Sequence, residues 1–199
     1  MKKRAQPAGN VFSRLADLYS RMEQAYALSA KAAGLSCAGC PTNCCTSYFQ
    51  HHTRIEWIYL LKGVRGLTAA RQAALGQRAR EYMGHVQEAL AAREVPTAMC
   101  PVNDNGLCTL YSHRLMICRM HGTKNSMLLP NGQEKTFAGC AQYVLLCEKA
   151  DSAPAALDRT PFYQELAALE MELTKNTRQL QRVNLSIAEM ILAGPPPLR

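Results

Sequence analysis

The sequence predicts a mainly α-helical single domain spanning residues 1–199, with one small β-hairpin, its helices wrapped around a cysteine-rich centre. Three observations predict it. Apolar residues recur at three- and four-residue steps in long segments near both ends of the chain, as amphipathic helices require. Of nine cysteines, eight gather between residues 37 and 140, in stretches rich in Pro, Gly and Asn. An Asn131-Gly132 pair stands between two short strand-like runs. At 48% hydrophobic, the 199 residues suffice for one sizeable core, and a second full domain is not expected. The cysteine region, residues 36–142, would be flanked by helices at 10–34 and 160–193.

Taken in order, Phe12, Leu15, Leu18, Tyr19, Met22 and Tyr26 form one buried stripe of the first helix, capped by Asn10 and ended by Gly34. Charges at Arg14, Asp17, Arg21 and Glu23 interrupt any apolar run there, so no signal-peptide h-region is expected. Cys37-Ala-Gly-Cys40-Pro-Thr-Asn-Cys44-Cys45 follows, four thiols in nine residues. Thr53-Arg-Ile-Glu56 reads as a capping box opening a short helix through Trp57 and Leu61 to Gly63. Thr68 starts a longer helix with Leu75, Ala79, Met83, Val86 and Leu90 on its inner face, stopped by Pro96.

A second cysteine group runs from Cys100-Pro101 through Cys108 to Cys118. Asn105-Gly106 signals a tight turn that brings Cys108 back towards Cys100. Ser112 is the expected cap of a short helix placing Arg114 and Cys118 on one face. The segment from Ser126 to Phe137 reads as a hairpin turning at Asn131-Gly132, which would return Cys140 to the other cysteines. Val144, Leu145 and Cys147 begin a helical turn. Thr160-Pro161 opens a helix that buries Phe162, Leu166, Leu169, Leu173 and Leu180. Ser186-Ile-Ala-Glu189 is a capping box for a last short helix, and Pro195-Pro196-Pro197 reads as an extended, disordered tail.

Clustered thiols at C-x-x-C spacing point first to metal. A tight knuckle lets two thiolates reach one ion, and soft sulfur donors favour zinc or iron–sulfur clusters over calcium or magnesium. A disulfide framework is the competing reading. The absence of a signal sequence makes a cytoplasmic location, with reduced thiols, the expectation, and nine cysteines cannot all pair. His51 and His52 are weighed as further ligands, but a histidine ahead of a helix start is more often solvated or hydrogen-bonded. The net charge of +8 allows attraction to nucleic acid or acidic proteins, although the basic residues are dispersed. No run of about 18 apolar residues occurs, so no membrane span is expected. Glycine-rich phosphate loops, G-x-S-x-G and H-E-x-x-H are all missing from the sequence, which removes the commonest nucleotide, serine-hydrolase and metalloprotease explanations.

The order Cys37, Cys40, Cys44-Cys45, then Cys100-Pro101, Gly106, Cys108, Leu110-Tyr111, Arg114, Cys118-Arg119, then Cys140 resembles the bacterial YkgJ-like cysteine-cluster family, described as zinc- or iron-chelating. The resemblance covers roughly residues 36 to 142. It departs from the family pattern in the spacing before Cys44, at Leu115 in place of a common proline, and at Met120-His121-Gly122. The resemblance implies Cys37, Cys40, Cys44, Cys45, Cys100, Cys108, Cys118 and Cys140 as metal ligands, with Tyr111, Arg114 and Arg119 as supporting, cofactor-binding positions. The family in part resembles a flagellin lysine methylase, which implies catalysis as an option and leaves open whether this chain is an enzyme. The expected cofactor is a cysteine-ligated iron–sulfur cluster, [4Fe–4S] slightly favoured, or zinc. Redox or cluster-dependent modification chemistry would follow. The alternative is a structural zinc module that binds nucleic acid or a protein partner through its basic surface.

Overall fold

The computed structural model describes residues 10–37, 44–150, 154–175 and 180–198. The architecture is mainly helical. Seven α-helices run α1 (Val11–Ala32), α2 (Arg54–Arg65), α3 (Ala69–Ala91), α4 (Met116–Met120), α5 (Ala141–Lys149), α6 (Thr160–Leu173) and α7 (Ile187–Ala193). Short 3-10 turns lie at Cys44–Thr46 and Tyr111–His113. The strands are β1 (Asn103–Asp104), β2 (Leu107–Cys108), β3 (Asn125–Leu128), β4 (Glu134–Phe137) and β5 (Leu157–Asp158).

The first helix forms as its pattern demands. Asn10 accepts a hydrogen bond from the Ser13 amide at 2.9 Å, and Leu15, Leu18, Tyr19 and Met22 are buried. Gly34 adopts φ +64°, letting the Leu35 amide donate back to the Ala30 carbonyl at 2.8 Å. The stripe packs on α6 and α4, forming one core with Ile55, Tyr59, Met116, Met120, Leu166 and Leu169.

α2 is the middle of the molecule. Ile55 and Tyr59 face the first core, while Trp57, Leu60 and Leu61 face a second with Leu75, Val102, Leu110, Leu115, Ile187 and Met190. A helix with apolar contacts on both sides must be enclosed, and α2 buries even Arg54, Glu56 and Gly63. A Cβ on Gly63 would stand 2.6 Å from the His113 ring, so only glycine lets that ring lie against the helix.

Several expectations are corrected here. Thr53 and Glu56 do not form a capping box, because Glu56 turns into the core and accepts hydrogen bonds from the Tyr19 hydroxyl (3.0 Å) and the Met116 amide (2.7 Å). The N-terminus of α2 is instead capped from α6, where the Glu170 carboxylate accepts from the Arg54 and Ile55 amides at 3.0 and 2.8 Å. α3 is capped by Thr68 but ends at Ala91, ahead of Pro96. Its inner face carries Tyr82, whereas Leu90 is 51% exposed. Arg114 is not on a helix with Cys118, and Ser112 does not cap one: Arg114 follows the 3-10 turn in extended geometry, and Leu115 precedes α4. The helix at Thr160 ends at Leu173, leaving Leu180 half-buried outside it. The proline tail is packed in part: Pro196 is buried, and the Pro197 carbonyl accepts from Arg54 Nε at 3.0 Å.

The β-structure is richer than one hairpin. β3 and β4 pair antiparallel across the Asn131-Gly132 turn, as the sequence predicts. β5 adds a parallel strand to β3 after a helical excursion, and β1–β2 form a second, two-stranded ladder. The Ser186–Glu189 capping box is present with both of its hydrogen bonds.

Candidate metal centre

Each cysteine-bearing segment is set by ordinary backbone chemistry. Asn105 (φ 51°) and Gly106 (φ 84°) make the tight turn that pairs Asn103 with Cys108 across the β1–β2 ladder. The Cys100 amide donates to the Cys45 carbonyl at 2.9 Å, tying the second cysteine group to the first. Cys118 lies on α4, whose first amide is held by Glu56. Cys140 caps α5, and its amide donates to the Gly122 carbonyl at 2.8 Å, so the β3–β4 hairpin does return it.

These segments surround one cavity of about 520 Å³. Of eight described cysteines, seven line it: Cys37, Cys44, Cys45, Cys100, Cys108, Cys118 and Cys140. Cys147 does not, and Cys40 lies outside the described residues. Among the described residues, no three His, Cys, Asp or Glu side chains stand close enough together to bind one ion as they are placed. The thiols are therefore spread over a wall and do not converge on a point. Four sulfurs about 2.3 Å from one zinc stand only ~3.8 Å apart. In a cubane cluster each thiolate binds its own iron and the sulfurs lie farther apart.

Burial disfavours the thiolate at most of the wall's cysteines, and a few donors and nearby cations offset it in part. Backbone amides two residues on, at Val102 and Leu110, donate to the Cys100 and Cys108 sulfurs and offset part of what burial does to those thiols. Burial pushes Cys100 up to about 12 and holds Cys108 and Cys118 high as well. Cys44 and Cys45 share a hydrogen bond that raises Cys44 and lowers Cys45. The Asn103 amide, whose Nδ2 has no partner of good geometry, and the Arg114 charge lower Cys45 further.

Arg114 lines the cavity, stacked 3.7 Å above the Tyr111 ring, and its charge favours the thiolates of Cys45, Cys108 and Cys118. Tyr111 lies at the rim and is 56% exposed. Arg119 does not line the cavity. It is buried against the Tyr19 ring and donates to the Arg114 and Ser112 carbonyls, fixing the loop that carries Arg114, and its charge reaches only as far as Cys108.

Three positions gain importance that spacing alone did not give them. Tyr26, the last member of the α1 stripe, points its hydroxyl at Cys37 and lines the cavity. Gly122, at φ +135°, lies so close that an added Cβ would be 2.2 Å from that hydroxyl. His51 is 2% exposed, lines the cavity and has both ring nitrogens without a partner; burial drives it down to about 3, so it is neutral. Its ring is thus buried without a hydrogen-bond partner among the described residues, contrary to the ordinary expectation for such a histidine. His52 points away, with Nδ1 3.3 Å from the Val183 carbonyl. The signals available in the sequence were Tyr26 falling about two helical turns short of the Gly34 stop, and glycine directly after His121.

No protein-family model, curated protein or solved structure matches the chain. Among the described residues, no helix is long and apolar enough to cross a membrane.

Proposed function

We propose that this chain is a cytoplasmic metal-binding protein that holds an iron–sulfur cluster, or zinc, on its clustered cysteines. One observation carries the reading: thiols from five separate stretches of chain line a single cavity. Disulfides do not explain the arrangement, because all eight described cysteines are free. The spread of sulfurs around a volume favours a cluster over one mononuclear ion. When bound, such a centre supplies electron transfer or a Lewis-acidic iron. The chain's own residues bind it through sulfur, Arg114 offsets its negative charge, and the apolar wall of Leu60, Val102, Leu110 and Ile187 limits water. The resemblance to the YkgJ-like family rests on the same cysteine order and points the same way.

The test is anaerobic purification with metal and acid-labile sulfide analysis. Iron with matching sulfide is expected; zinc without sulfide selects the zinc form. A folded chain that takes up neither sinks the reading. The alternative, a structural zinc module on nucleic acid, is favoured only by the +8 charge. It requires affinity for DNA or RNA that falls steeply with added salt. Salt-insensitive or undetectable binding removes it.

A further inference from the structure

Arg114 is held at the cavity mouth by its surroundings. It follows the 3-10 turn at Tyr111–His113, and the buried Arg119 donates to the Ser112 and Arg114 carbonyls at 2.7 and 2.8 Å, so the backbone that carries it is fixed from inside the fold. The Tyr111 ring supports the guanidinium at 3.7 Å. Its charge is only partly answered. Glu23, the acid beside it, stands 3.7 Å away, beyond hydrogen-bond reach, and is shared with Arg119 at 3.5 Å, while the Arg114 Nε has no hydrogen-bond partner among the described residues. A planar guanidinium held in this way is short of an acceptor, and a carboxylate is a group whose two oxygens match its fork.

The rest of the wall has the opposite character. Among the described residues that line the cavity, Arg114 is the one Lys or Arg, and none is Asp or Glu. The chain at 47–51 gives Ser47, Phe49 and His51 to the cavity, whereas Tyr48 and Gln50 hydrogen-bond each other at 3.3 Å outside it. Leu60 of α2, Val102, Leu110, and Ile187 and Ala188 of α7 complete an apolar surface. A volume of about 520 Å³ falls within the range of small-molecule sites, which combine apolar walls with a few placed polar groups.

We propose that the cavity binds a small organic acid, with its carboxylate on the Arg114 fork and an apolar body, about the size of one ring, against Phe49, Leu60, Leu110 and Ile187. Arg119 and Tyr111 position the guanidinium before the ligand arrives, so little side-chain freedom is lost on binding. The inference stands on the cavity and its charges, and not on what the thiols hold.

The full-length chain, purified anaerobically and assayed for metal and sulfide, is titrated with benzoate, acetate and benzyl alcohol by ligand-observed NMR, alongside Arg114→Gln. Benzoate should bind the wild type at least about tenfold more tightly than either other probe, since acetate lacks the ring and the alcohol lacks the charge. Arg114→Gln should weaken benzoate roughly tenfold or more and leave benzyl alcohol unchanged. Equal binding of benzoate and acetate reduces the site to a bare anion site, and equal binding of benzoate and benzyl alcohol reduces it to an apolar hole. Either result overturns the proposal, as does undetectable benzoate binding or an Arg114→Gln chain that binds benzoate like the wild type. If Arg114→Gln does not fold, the wild-type ranking of the three probes decides. A metal-free chain that ranks the probes as expected keeps this inference and removes the metal-binding reading; a metal-loaded chain that binds none of them does the reverse.

Discussion

Along α1, α2 and α6 a core of Leu, Ile, Tyr and Met side chains is buried in mutual contact, whereas the segments at 44–50 and 97–114 bury only Pro101, Val102, Asn103 and Leu110. The helices hold one another by removing apolar surface from water, about 1.5–3 kcal/mol for each large side chain fully enclosed. The cysteine loops have hardly any such burial. Their order comes from a few backbone bonds and short turns, including the Asn105-Gly106 turn. The lesson is that helices and loops need not fail together, and perturbations can be aimed at either.

Metal removal should separate them most. Stripping a loaded chain under reducing conditions is expected to forfeit on the order of 10 kcal/mol of ligand-derived stability. The loss should concentrate in 44–50 and 97–114. Limited proteolysis with circular dichroism reads both regions at once. Cleavage in the loops with most helicity retained is expected, and equal resistance with and without metal would defeat the comparison.

Next comes Glu56, which joins the two regions by binding Tyr19 of α1 and Met116 at the start of the helix that carries Cys118. Glu56→Ala leaves both donors buried and unanswered and should cost about 3 kcal/mol in urea unfolding; Glu56→Gln should cost about half that. Burial raises this carboxyl above its ordinary value, so the folded state holds the proton more tightly than the unfolded one. Its contribution is therefore fully present below the unfolded carboxylate range and declines as pH rises through the folded value. Glu56→Gln should flatten that decline, and an unchanged pH slope would show that Glu56 does not cause it.

Gly122→Ala strikes a loop and the α1 side chain Tyr26 that it abuts, through the +135° backbone and that contact, at about 2 kcal/mol. Timed alkylation followed by mass spectrometry should show Cys140 reacting faster while Cys108 is unchanged. His51 sits between the regions. Its neutral ring, depressed to about 3 from an ordinary 6.5, withdraws stability as pH falls below 6.5, because only the unfolded chain takes up the proton. One unit below that value the loss is roughly 1 kcal/mol, and His51→Phe should abolish it. Equal acid sensitivity in the variant and the wild type would contradict this. The smallest effect is expected within the helices: Glu170→Ala uncaps α2 for about 1 kcal/mol, visible as a lower thermal midpoint with no change in loop proteolysis.

Sequence legibility follows how local each determinant is. Asn10 and the Ser186–Glu189 box act within four residues, and both caps form as predicted, while Thr68, at the expected start of a helix, also caps it. Thr53–Glu56 has the same signature, yet Glu56 is drawn to partners 37 and 60 residues away, which no window around it reveals. Leu90 continues the α3 stripe on paper but projects beyond the last packing partner near the helix end. The two-residue β5 has too few residues to show a period, and its pairing with β3 is parallel and distant. At the site, thiol spacing made every cavity cysteine a candidate. What spacing cannot carry is direction: Arg119 turns into the core, Tyr26 turns out of it to line the cavity, and the His51 backbone pairs with Leu185, far along the chain.

The capping of α2 from far along the chain has a consequence for biosynthesis. Its first amides wait for Glu170, the Trp57 indole for the Met190 carbonyl, and the Arg54 guanidinium for the Gln181 and Pro197 carbonyls. Every described cavity cysteine has been synthesised by residue 140, before any of those partners. Chains emerge N-terminus first, so each nascent molecule passes through an interval in which all its ligands are present and the central helix is not yet locked. If the proposed metal-binding reading holds, that interval is the natural moment for a delivery factor or free metal to load the site, and thiols that are not yet enclosed are equally open to oxidants then.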